Sequence, residues 1–243
     1  MTTTKPSPLV VIVGETASGK SGLALAAAER FKGELICADS RTVYKGMDVG
    51  TAKPTAEEQS KVPHHLLDVV EPNERFSAAR FQELANQAIS DIAGRHNLPV
   101  MVGGTGLYVD AVILNYDFDH QTKSELRPNT LVIGLKLPRA ELRCRIEARV
   151  EQMFYRGLRK EVDELVNQYG WDHWSLTGIG YREFADYQSG AKSMSQIKRA
   201  IVTNTLEFAK RQRTWFKRHP FIEWFEDPEL ALTRIDDWLR LKA

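Results

Sequence analysis

The sequence predicts an α/β fold in which a mostly parallel sheet is flanked by helices, with a helical C-terminal part. An apolar run, Leu9–Val13, leads into a glycine-rich loop and then an Ala/Leu-rich segment, the order strand, loop, helix. Short apolar runs then alternate with segments of helical periodicity, as expected of parallel strands joined by crossover helices. Beyond Pro138 helical patterns dominate the chain.

The loop after the first strand matches the pattern G-x-x-x-x-G-K-[ST]. Its residues are Gly14, Glu15, Thr16, Ala17, Ser18, Gly19, Lys20 and Ser21. Successive backbone N–H groups at a helix N-terminus bind phosphate oxygens, so this context predicts a P-loop NTPase-like fold with a diphosphate site. Lys20 would neutralise the terminal phosphates and Ser21 would hold Mg²⁺. The loop alone leaves the reaction open.

Composition limits the class of protein. The 243 residues are 42% hydrophobic, which suits one domain over 1–243 whose helical portion begins at about residue 138. Its 33 basic and 32 acidic residues nearly balance, so any nucleic-acid surface must be local. Two cysteines, Cys37 and Cys144, are too few for a disulfide framework and suit a cytoplasmic setting. No apolar run approaches the ~18 residues of a membrane span, so we expect no membrane partner.

The strands are predicted from short apolar runs bounded by polar or turn residues. They are Leu9–Val13, Glu34–Ala38, Pro99–Val102, Leu131–Leu135 and Phe221–Phe225. The helices are predicted from apolar spacing of three and four residues. They are Leu23–Phe31, Thr55–Ser60, Phe76–Ala93 with Ser77 as a cap, a helix from Pro138, Glu161–Tyr169, 193–217 and Pro228–Leu241.

Two further strand ends carry residues suited to a site. Asp39 follows the second strand, and in open α/β sheets ligands bind beyond the carboxyl ends of strands. A second glycine-rich turn, Gly103–Tyr108, follows the strand at Val102 and opens a helix. Glycine permits a close approach of backbone to ligand, so this turn is expected to form another wall of the phosphate site.

Three other patterns are open to more than one interpretation. His64 and His65 are adjacent, so their side chains diverge, and an ordering role or a place at the substrate edge is favoured over metal binding. The arginines of the helix after Pro138, Arg149 among them, are either solvated or reach the diphosphate. The basic and aromatic helix 193–217 either contacts nucleic acid or presents a solvated basic face.

Several motifs together resemble those of tRNA dimethylallyltransferases, also called tRNA isopentenyltransferases. The matching motifs are Gly14–Ser21, Asp39–Tyr44, Gly50–Pro54, Pro63–Asp68, Gly103–Tyr108, Arg145–Met153, Ile179–Arg182 and Ala209–Phe216. They occur in the family's order and span most of the chain.

The resemblance implies transfer of a dimethylallyl group from dimethylallyl diphosphate to N6 of the adenosine adjacent to the anticodon. Asp39 matches the family's general base, Thr16 a position near the scissile oxygen, and Arg149 the diphosphate clamp. The implied diphosphate-binding residues are Gly14, Thr16, Ala17, Ser18, Gly19, Lys20, Ser21 and Arg149. The P-loop is thus expected to hold an isoprenoid diphosphate and to hydrolyse no nucleotide.

The resemblance also implies an RNA-binding side of the site. Residues expected to contact the adenine or the tRNA are Asp39, Ser40, Arg41, Thr42, Gly104, Thr105, Tyr181, Arg182, Lys210 and Arg211. The expected partners are the anticodon stem-loop of tRNA and dimethylallyl diphosphate with Mg²⁺, bound by a monomer.

The chain departs from the family pattern at four places. Glu15 stands where proline is usual, and its charge should weaken diphosphate binding unless the side chain points outward. Thr42 replaces a usual glutamine, and Leu206 follows Thr205 where arginine is frequent. The family inserts a helical, tRNA-gripping domain after Tyr108, but here about twenty residues precede Leu131, so the insertion is expected to be largely absent between 109 and 130.

Three other functions stay open at this stage. An adenylate isopentenyltransferase, which modifies free AMP or ADP, needs no grip on an anticodon arm. A P-loop nucleotide kinase would bind ATP and transfer a phosphoryl group. A non-catalytic RNA-binding remnant would fit the acidic Glu15 and the short interval before Leu131.

Overall fold

A computed structural model of the chain describes residues 6–120 and 125–242. Within them a six-stranded sheet, parallel at every pairing, has the strand order β3-β2-β4-β1-β5-β6. Its strands are β1 (Leu9–Gly14), β2 (Gly33–Ala38), β3 (His64–His65), β4 (Leu98–Gly103), β5 (Thr130–Leu135) and β6 (Ile222–Phe225). The parallel sheet flanked by helices confirms the predicted fold class.

Helices connect the strands and form most of the C-terminal part. They are α1 (Lys20–Arg30), α2 (Ala56–Lys61), α3 (Ala78–Gly94), α4 (Gly106–Ile113), α5 (Arg139–Tyr155), α6 (Leu158–Tyr169), α7 (Ala185–Gln188), α8 (Met194–Phe216) and α9 (Pro228–Arg240). None of the helices in the described ranges combines the length and apolarity that a bilayer crossing requires.

Polar caps explain where the long helices begin. The Ser77 hydroxyl accepts a hydrogen bond from the Arg80 amide, which confirms the predicted cap of α3. Ser193 and Gln196 form a reciprocal capping box at the start of α8. The α5 helix ends before Gly157, whose φ of 94° few other residues tolerate, so α6 begins three residues earlier than predicted.

The sheet is buried on both faces, which explains why its strands are continuous apolar runs. One face packs against α3 and α4 through residues such as Val11, Phe81 and Val109. The opposite face packs against α1 and α9 through residues such as Ile12 and Ala24. Because α1, α3 and α4 in these layers are crossovers between parallel strands, the carboxyl ends of the strands lie at one edge of the sheet.

A third apolar cluster places a helical layer beside the loops that follow β2. It joins Val43 and Met47 of those loops to Val150 of α5, Val162 of α6 and Ile197 of α8. The helical C-terminal part is therefore packed onto the loops of the sheet, and the space between them can form a site.

The adjacent histidines lie on β3, a two-residue edge strand that periodicity could not reveal. The His65 Nε2 atom lies 2.7 Å from the Glu34 carboxylate, and Arg95 donates two hydrogen bonds, at 3.0 and 2.7 Å, to the same buried group. His64 Nδ1 lies 2.7 Å from the Val62 carbonyl oxygen. Both rings are thus held by neighbouring segments, in line with an ordering role.

The Glu34 cluster predicts how stability depends on pH. Hydrogen bonds, first from Arg95, hold the pKa of Glu34 at about 2, below the ordinary 4.5. A lowered carboxyl pKa stabilises the fold above the unfolded-state value, and that stabilisation is lost as the pH falls from about 4.5 toward 2. We expect Glu34→Gln to cost about 1–2 kcal/mol near neutral pH, since solvent around Arg95 screens the pair.

Urea unfolding of wild type and Glu34→Gln across this pH range measures the effect. The difference between the two proteins should shrink as the pH falls below about 4.5. A difference that stays constant down to the lowest pH would contradict the assignment.

Candidate active site

Three neighbouring strands bring the predicted site segments together. In the sheet β4 lies between β2 and β1, and Gly103 pairs in register with both Ala38 and Val13. The P-loop, the Asp39 loop and the second glycine-rich turn therefore leave the same edge of the sheet. The fold thus assembles three segments that are far apart in sequence, as expected for the carboxyl edge of an α/β sheet.

The P-loop leads into α1 as predicted. The N-cap residue of α1 is Gly19, with a φ of 95°, and it supplies no side-chain acceptor to the first amide groups of the helix. Such amides, together with the positive end of the helix dipole, suit a phosphate group. Lys20 Nζ lies nearby and donates a hydrogen bond to the Glu15 carbonyl at 3.1 Å.

Arg149 reaches the P-loop from the helical layer. Its Nη1 donates to the Thr16 hydroxyl at 3.1 Å and its Nη2 to the Thr51 carbonyl at 3.3 Å. Burial lowers the pKa of this guanidinium, and Asp39 acts in the opposite direction. Because an arginine remains charged in proteins, it presents a fixed cation to this part of the site.

The loop that supplies Thr51 is held by a single carboxylate. Glu161 of α6 accepts hydrogen bonds from the backbone amides of Asp48, Val49 and Gly50 at 2.7–2.9 Å. The Tyr181 hydroxyl donates to the same carboxylate at 2.8 Å. The position of the Thr51 carbonyl, and with it the direction of Arg149, therefore depends on α6.

The Asp39 carboxylate is ordered by its own loop. Its Oδ1 accepts a hydrogen bond from the Arg41 amide at 2.8 Å. The amide of Ser40, which lies between these two residues, donates a hydrogen bond to the Thr105 hydroxyl at 3.0 Å. The second bond joins the ends of β2 and β4. The Asp39 side chain is thus oriented through Oδ1, and Oδ2 makes no hydrogen bond to the loop.

Two chambers open from this centre. The larger, of about 310 Å³, is lined by residues of the Asp39 loop, the segment 177–182, α5 and α8, among them Arg41, Arg182 and Arg211. The smaller, of about 110 Å³, extends past Lys20 and Ser21 along β2. The residues that line both are Thr16, Asp39, Thr51, Arg149 and Phe208. A ligand in each chamber would therefore meet the other at the predicted catalytic residues.

Most of the predicted site residues line one or both of these chambers. The larger chamber is lined by Thr16, Asp39, Ser40, Arg41, Thr105, Arg149, Tyr181, Arg182 and Arg211. The smaller chamber is lined by Thr16, Lys20, Ser21, Asp39, Thr42 and Arg149. Gly14 ends β1, and Ala17, Ser18 and Gly19 belong to the P-loop between β1 and α1.

Three predicted residues lie elsewhere than the RNA-binding role suggests. Lys210 projects from another side of α8, into a separate cavity of about 300 Å³ that Arg139 and Arg143 also line. Gly104 faces Gln212 of α8, and the Gly104 carbonyl accepts a hydrogen bond from the side-chain amide of Gln212. Thr42 lines the chamber on the Lys20 side, away from the segment 177–182.

Sequence reasoning did not single out three residues that the structure brings to the site: Thr51, Phe208 and Gln212. Each lies within or beside a motif that does stand out in the sequence. Their individual importance could not be read from the motifs, because it comes from contacts with the P-loop and with Arg149.

Glu15 is buried and paired. Its side chain neither points into solvent nor stands alone, because the carboxylate lies 2.5 Å from Arg213 Nε and the residue is 2% exposed. Together with Arg213 it lines the separate cavity behind the P-loop, and it lines neither of the two chambers described above. The expected weakening of diphosphate binding therefore has a local compensation.

Burial changes the acid–base behaviour of two groups in the smaller chamber. It lowers the pKa of Lys20 to about 8, with Arg149 acting in the same direction and the acidic neighbours Asp39 and Glu15 opposing. Burial, followed by Asp39, raises the pKa of the Cys37 thiol to about 12. Cys37 therefore stays protonated near neutral pH and is unsuited to act as a thiolate nucleophile.

Two buried hydroxyls in the site have no hydrogen-bond partner within the described residues. They belong to Ser18 of the P-loop and Thr42 of the smaller chamber. Buried polar groups are normally satisfied, so such exceptions suit a place where a polar ligand binds.

Comparisons with known proteins agree with this arrangement. The model of the IPP transferase family matches residues 42–129 and 116–219. A tRNA dimethylallyltransferase of Desulforudis audaxviator is 36% identical, with 93% of this chain and 94% of the relative covered. That alignment runs over 291 positions, although this chain has 243 residues, so the relative has residues without a counterpart here.

Solved structures extend the likeness to the fold. The tRNA isopentenylpyrophosphate transferase of Bacillus halodurans superposes with a TM-score of 0.85 at 34% identity, covering 97% of this chain and 96% of that one. A eukaryotic dimethylallyltransferase, captured in crystallographic snapshots while acting on tRNA, superposes with a TM-score of 0.76 at 25% identity. The match covers 86% of this chain and 70% of that one.

The lowered pKa of Lys20 predicts how anion binding at the P-loop depends on pH. Above about pH 8 the lysine loses its proton, so the affinity for inorganic diphosphate should fall by up to about tenfold per pH unit. Lys20→Arg is the control, because arginine keeps its charge over this pH range. Any pH dependence that remains in this variant comes from the ionisation of diphosphate itself. Calorimetric titrations of both proteins test this, and parallel pH curves would refute it.

The Glu15–Arg213 pair predicts a coupled pair of substitutions. Arg213→Met leaves a buried carboxylate without its cation and should cost about 3 kcal/mol in the free energy of unfolding. Adding Glu15→Gln should recover most of that loss, because the unpaired charge is removed. Urea unfolding of the single and double variants measures the coupling, and a double variant as unstable as Arg213→Met would contradict it.

Proposed function

This chain belongs to the IPP transferase family, and we propose that it transfers a dimethylallyl group from dimethylallyl diphosphate to N6 of the adenosine next to the anticodon of a tRNA. The observation that carries this proposal is the meeting of two chambers at Thr16, Asp39 and Arg149. Relatives that cover nearly the whole chain are named tRNA dimethylallyltransferases.

The smaller chamber suits the diphosphate of the donor. In the reaction the bond between the allylic carbon and the diphosphate oxygen breaks, and its electron pair stays on the departing oxygen. Lys20 and Arg149 line this chamber, and together with the amides at the start of α1 they would stabilise that charge. The Thr16 hydroxyl accepts its bond from Arg149, so its own proton is available for the departing oxygen.

Asp39 suits the role of general base. The adenine amino nitrogen forms the new bond to the allylic carbon and must lose a proton, which the Asp39 carboxylate can accept. Asp39 lines both chambers and is oriented by the Arg41 amide. Its position where the two chambers meet supports this role, because the nucleophile and the allylic carbon would meet there.

Mg²⁺ is part of the proposal, with Ser21 as its protein ligand. Magnesium commonly takes one or two protein oxygens together with phosphate oxygens and water, and Ser21 lines the same chamber as Lys20. When bound, the ion would neutralise charge on the diphosphate.

The larger chamber suits the nucleotide and its flanking phosphates. Arg41, Arg182 and Arg211 line it, and Phe208 lies where the two chambers meet. Arginine side chains suit phosphate oxygens, and an aromatic ring can stack on a base that has left its own stack. An unpaired loop base is the least costly to extrude, which favours the anticodon loop as the target. We expect a monomer that acts in the cytoplasm.

Transfer assays separate this function from its alternatives. Purified protein is incubated with labelled dimethylallyl diphosphate, Mg²⁺ and either unmodified tRNA or AMP. Label in tRNA alone supports the proposal, whereas label in AMP would favour an adenylate isopentenyltransferase. ATP consumption without transfer would favour a kinase, and tRNA binding without either reaction would favour a remnant.

Asp39→Ala tests the base. We expect transfer to tRNA to fall by about 10²–10⁴-fold, because the amino group loses its proton acceptor. Binding of inorganic diphosphate should change little, since the P-loop, Lys20 and Arg149 are retained. Asp91→Ala, on the exposed side of α3, is the control and should retain full turnover. Near-normal turnover of the Asp39 variant would refute the assignment.

A further inference from the structure

One side chain of α8 joins two loops of the site. Gln212 is 5% exposed, and its Oε1 accepts a hydrogen bond from the Thr16 amide at 2.7 Å. Its Nε2 donates to the Gly104 carbonyl at 2.9 Å. A single carboxamide thus connects the helical layer to the loop after β1 and to the turn after β4.

The first bond leaves Thr16 with one group for a ligand. Because its amide is used by Gln212, the diphosphate can meet Thr16 only through its hydroxyl. That hydroxyl is held from the other side by Arg149 at 3.1 Å. Thr16 is therefore anchored at its backbone by α8 and at its side chain by α5.

The second bond, from Gln212 Nε2 to the Gly104 carbonyl, connects Gln212 to the loop that holds Asp39, the proposed base. Thr105 follows Gly104, and its hydroxyl accepts the Ser40 amide beside Asp39 at 3.0 Å. A Cβ atom at Gly104 would collide with the Gln212 carboxamide, so a side chain there would displace the carboxamide from its bond to the Gly104 carbonyl. The contact links Gln212 to the Asp39 loop through two successive residues of one turn.

We infer that Gln212 is a positioning residue which sets the geometry between Thr16, on the leaving-group side, and Asp39, on the side of the base. This inference rests on the proposed transfer reaction. Gln212 acts through the Thr16 amide and the Gly104 carbonyl, so its loss should affect the rate of transfer more than the binding of diphosphate. Misplacement of reacting groups by about 1 Å can cost about 10²-fold in rate.

The first test is Gln212→Met, which keeps the length of the side chain but removes both hydrogen bonds. We expect kcat to fall about 10- to 100-fold, with the Kd for inorganic diphosphate within about threefold of wild type. The matched control is Gln82→Met, because the side chain of Gln82 in α3 likewise makes two hydrogen bonds, donating to the carbonyls of Ala111 and Tyr116. The control should retain the wild-type kcat.

Gln212→Glu separates the two bonds. Its carboxylate can still accept from the Thr16 amide, but it repels the Gly104 carbonyl until it is protonated. The kcat of this variant relative to wild type should therefore rise as the pH falls. A merely structural role would lower the melting temperature and leave kcat per folded molecule unchanged at every pH.

Hydrogen exchange in the protein without substrates provides a readout that does not depend on activity. The Thr16 amide should be protected in wild type and in Gln82→Met, and should exchange faster in Gln212→Met. If wild type transfers no label to tRNA, the proposed function fails and this exchange still decides whether Gln212 anchors Thr16. The inference is overturned if the amide is equally protected in Gln212→Met, if its kcat is within threefold of wild type, or if Kd rises as much as kcat falls.

Discussion

The hydrogen bond from Arg149 to the Thr16 hydroxyl is the contact on which the arrangement of the site depends, because it closes the helical layer against the sheet. The same guanidinium binds the Thr51 carbonyl, in a loop whose amides are held by Glu161. One half-buried cation thus gathers segments from α5, α6 and the P-loop. A diphosphate would supply the counter-charge that this burial calls for.

Charge is divided between two sides of α5 and α8. On the chamber side, Lys20 and Arg149 face the place proposed for the diphosphate, and burial lowers the pKa of both. Behind the P-loop, Glu15 is matched by Arg213 in a separate cavity. An acidic residue can therefore stand in a phosphate-binding loop, because its charge is balanced by a neighbour outside the substrate chambers.

The Desulforudis relative has residues without a counterpart in this chain, which bears on how RNA would be held. The alignment with the Desulforudis enzyme is longer than the chain, and α4 is followed by β5 after the short connection 114–129. The absence of the family's insertion between 109 and 130 stays a prediction. What the described residues do offer to RNA is the wall of the larger chamber, where Arg41, Arg182 and Arg211 lie.

By itself the sequence determined the α/β class, the glycine-rich loop after the first strand, the main strands and helices and the place of Asp39 after a strand, because apolar periodicity, caps and glycine loops act over a few neighbouring residues. Through family resemblance it also indicated Thr16 and Arg149. The edge strand at His64, the chamber that Thr42 lines and the side of α8 from which Lys210 projects depended on packing. Only the tertiary structure decided that Glu15 is neutralised by Arg213 and that Gln212 holds Thr16, since each contact joins residues nearly 200 positions apart and no local pattern encodes it.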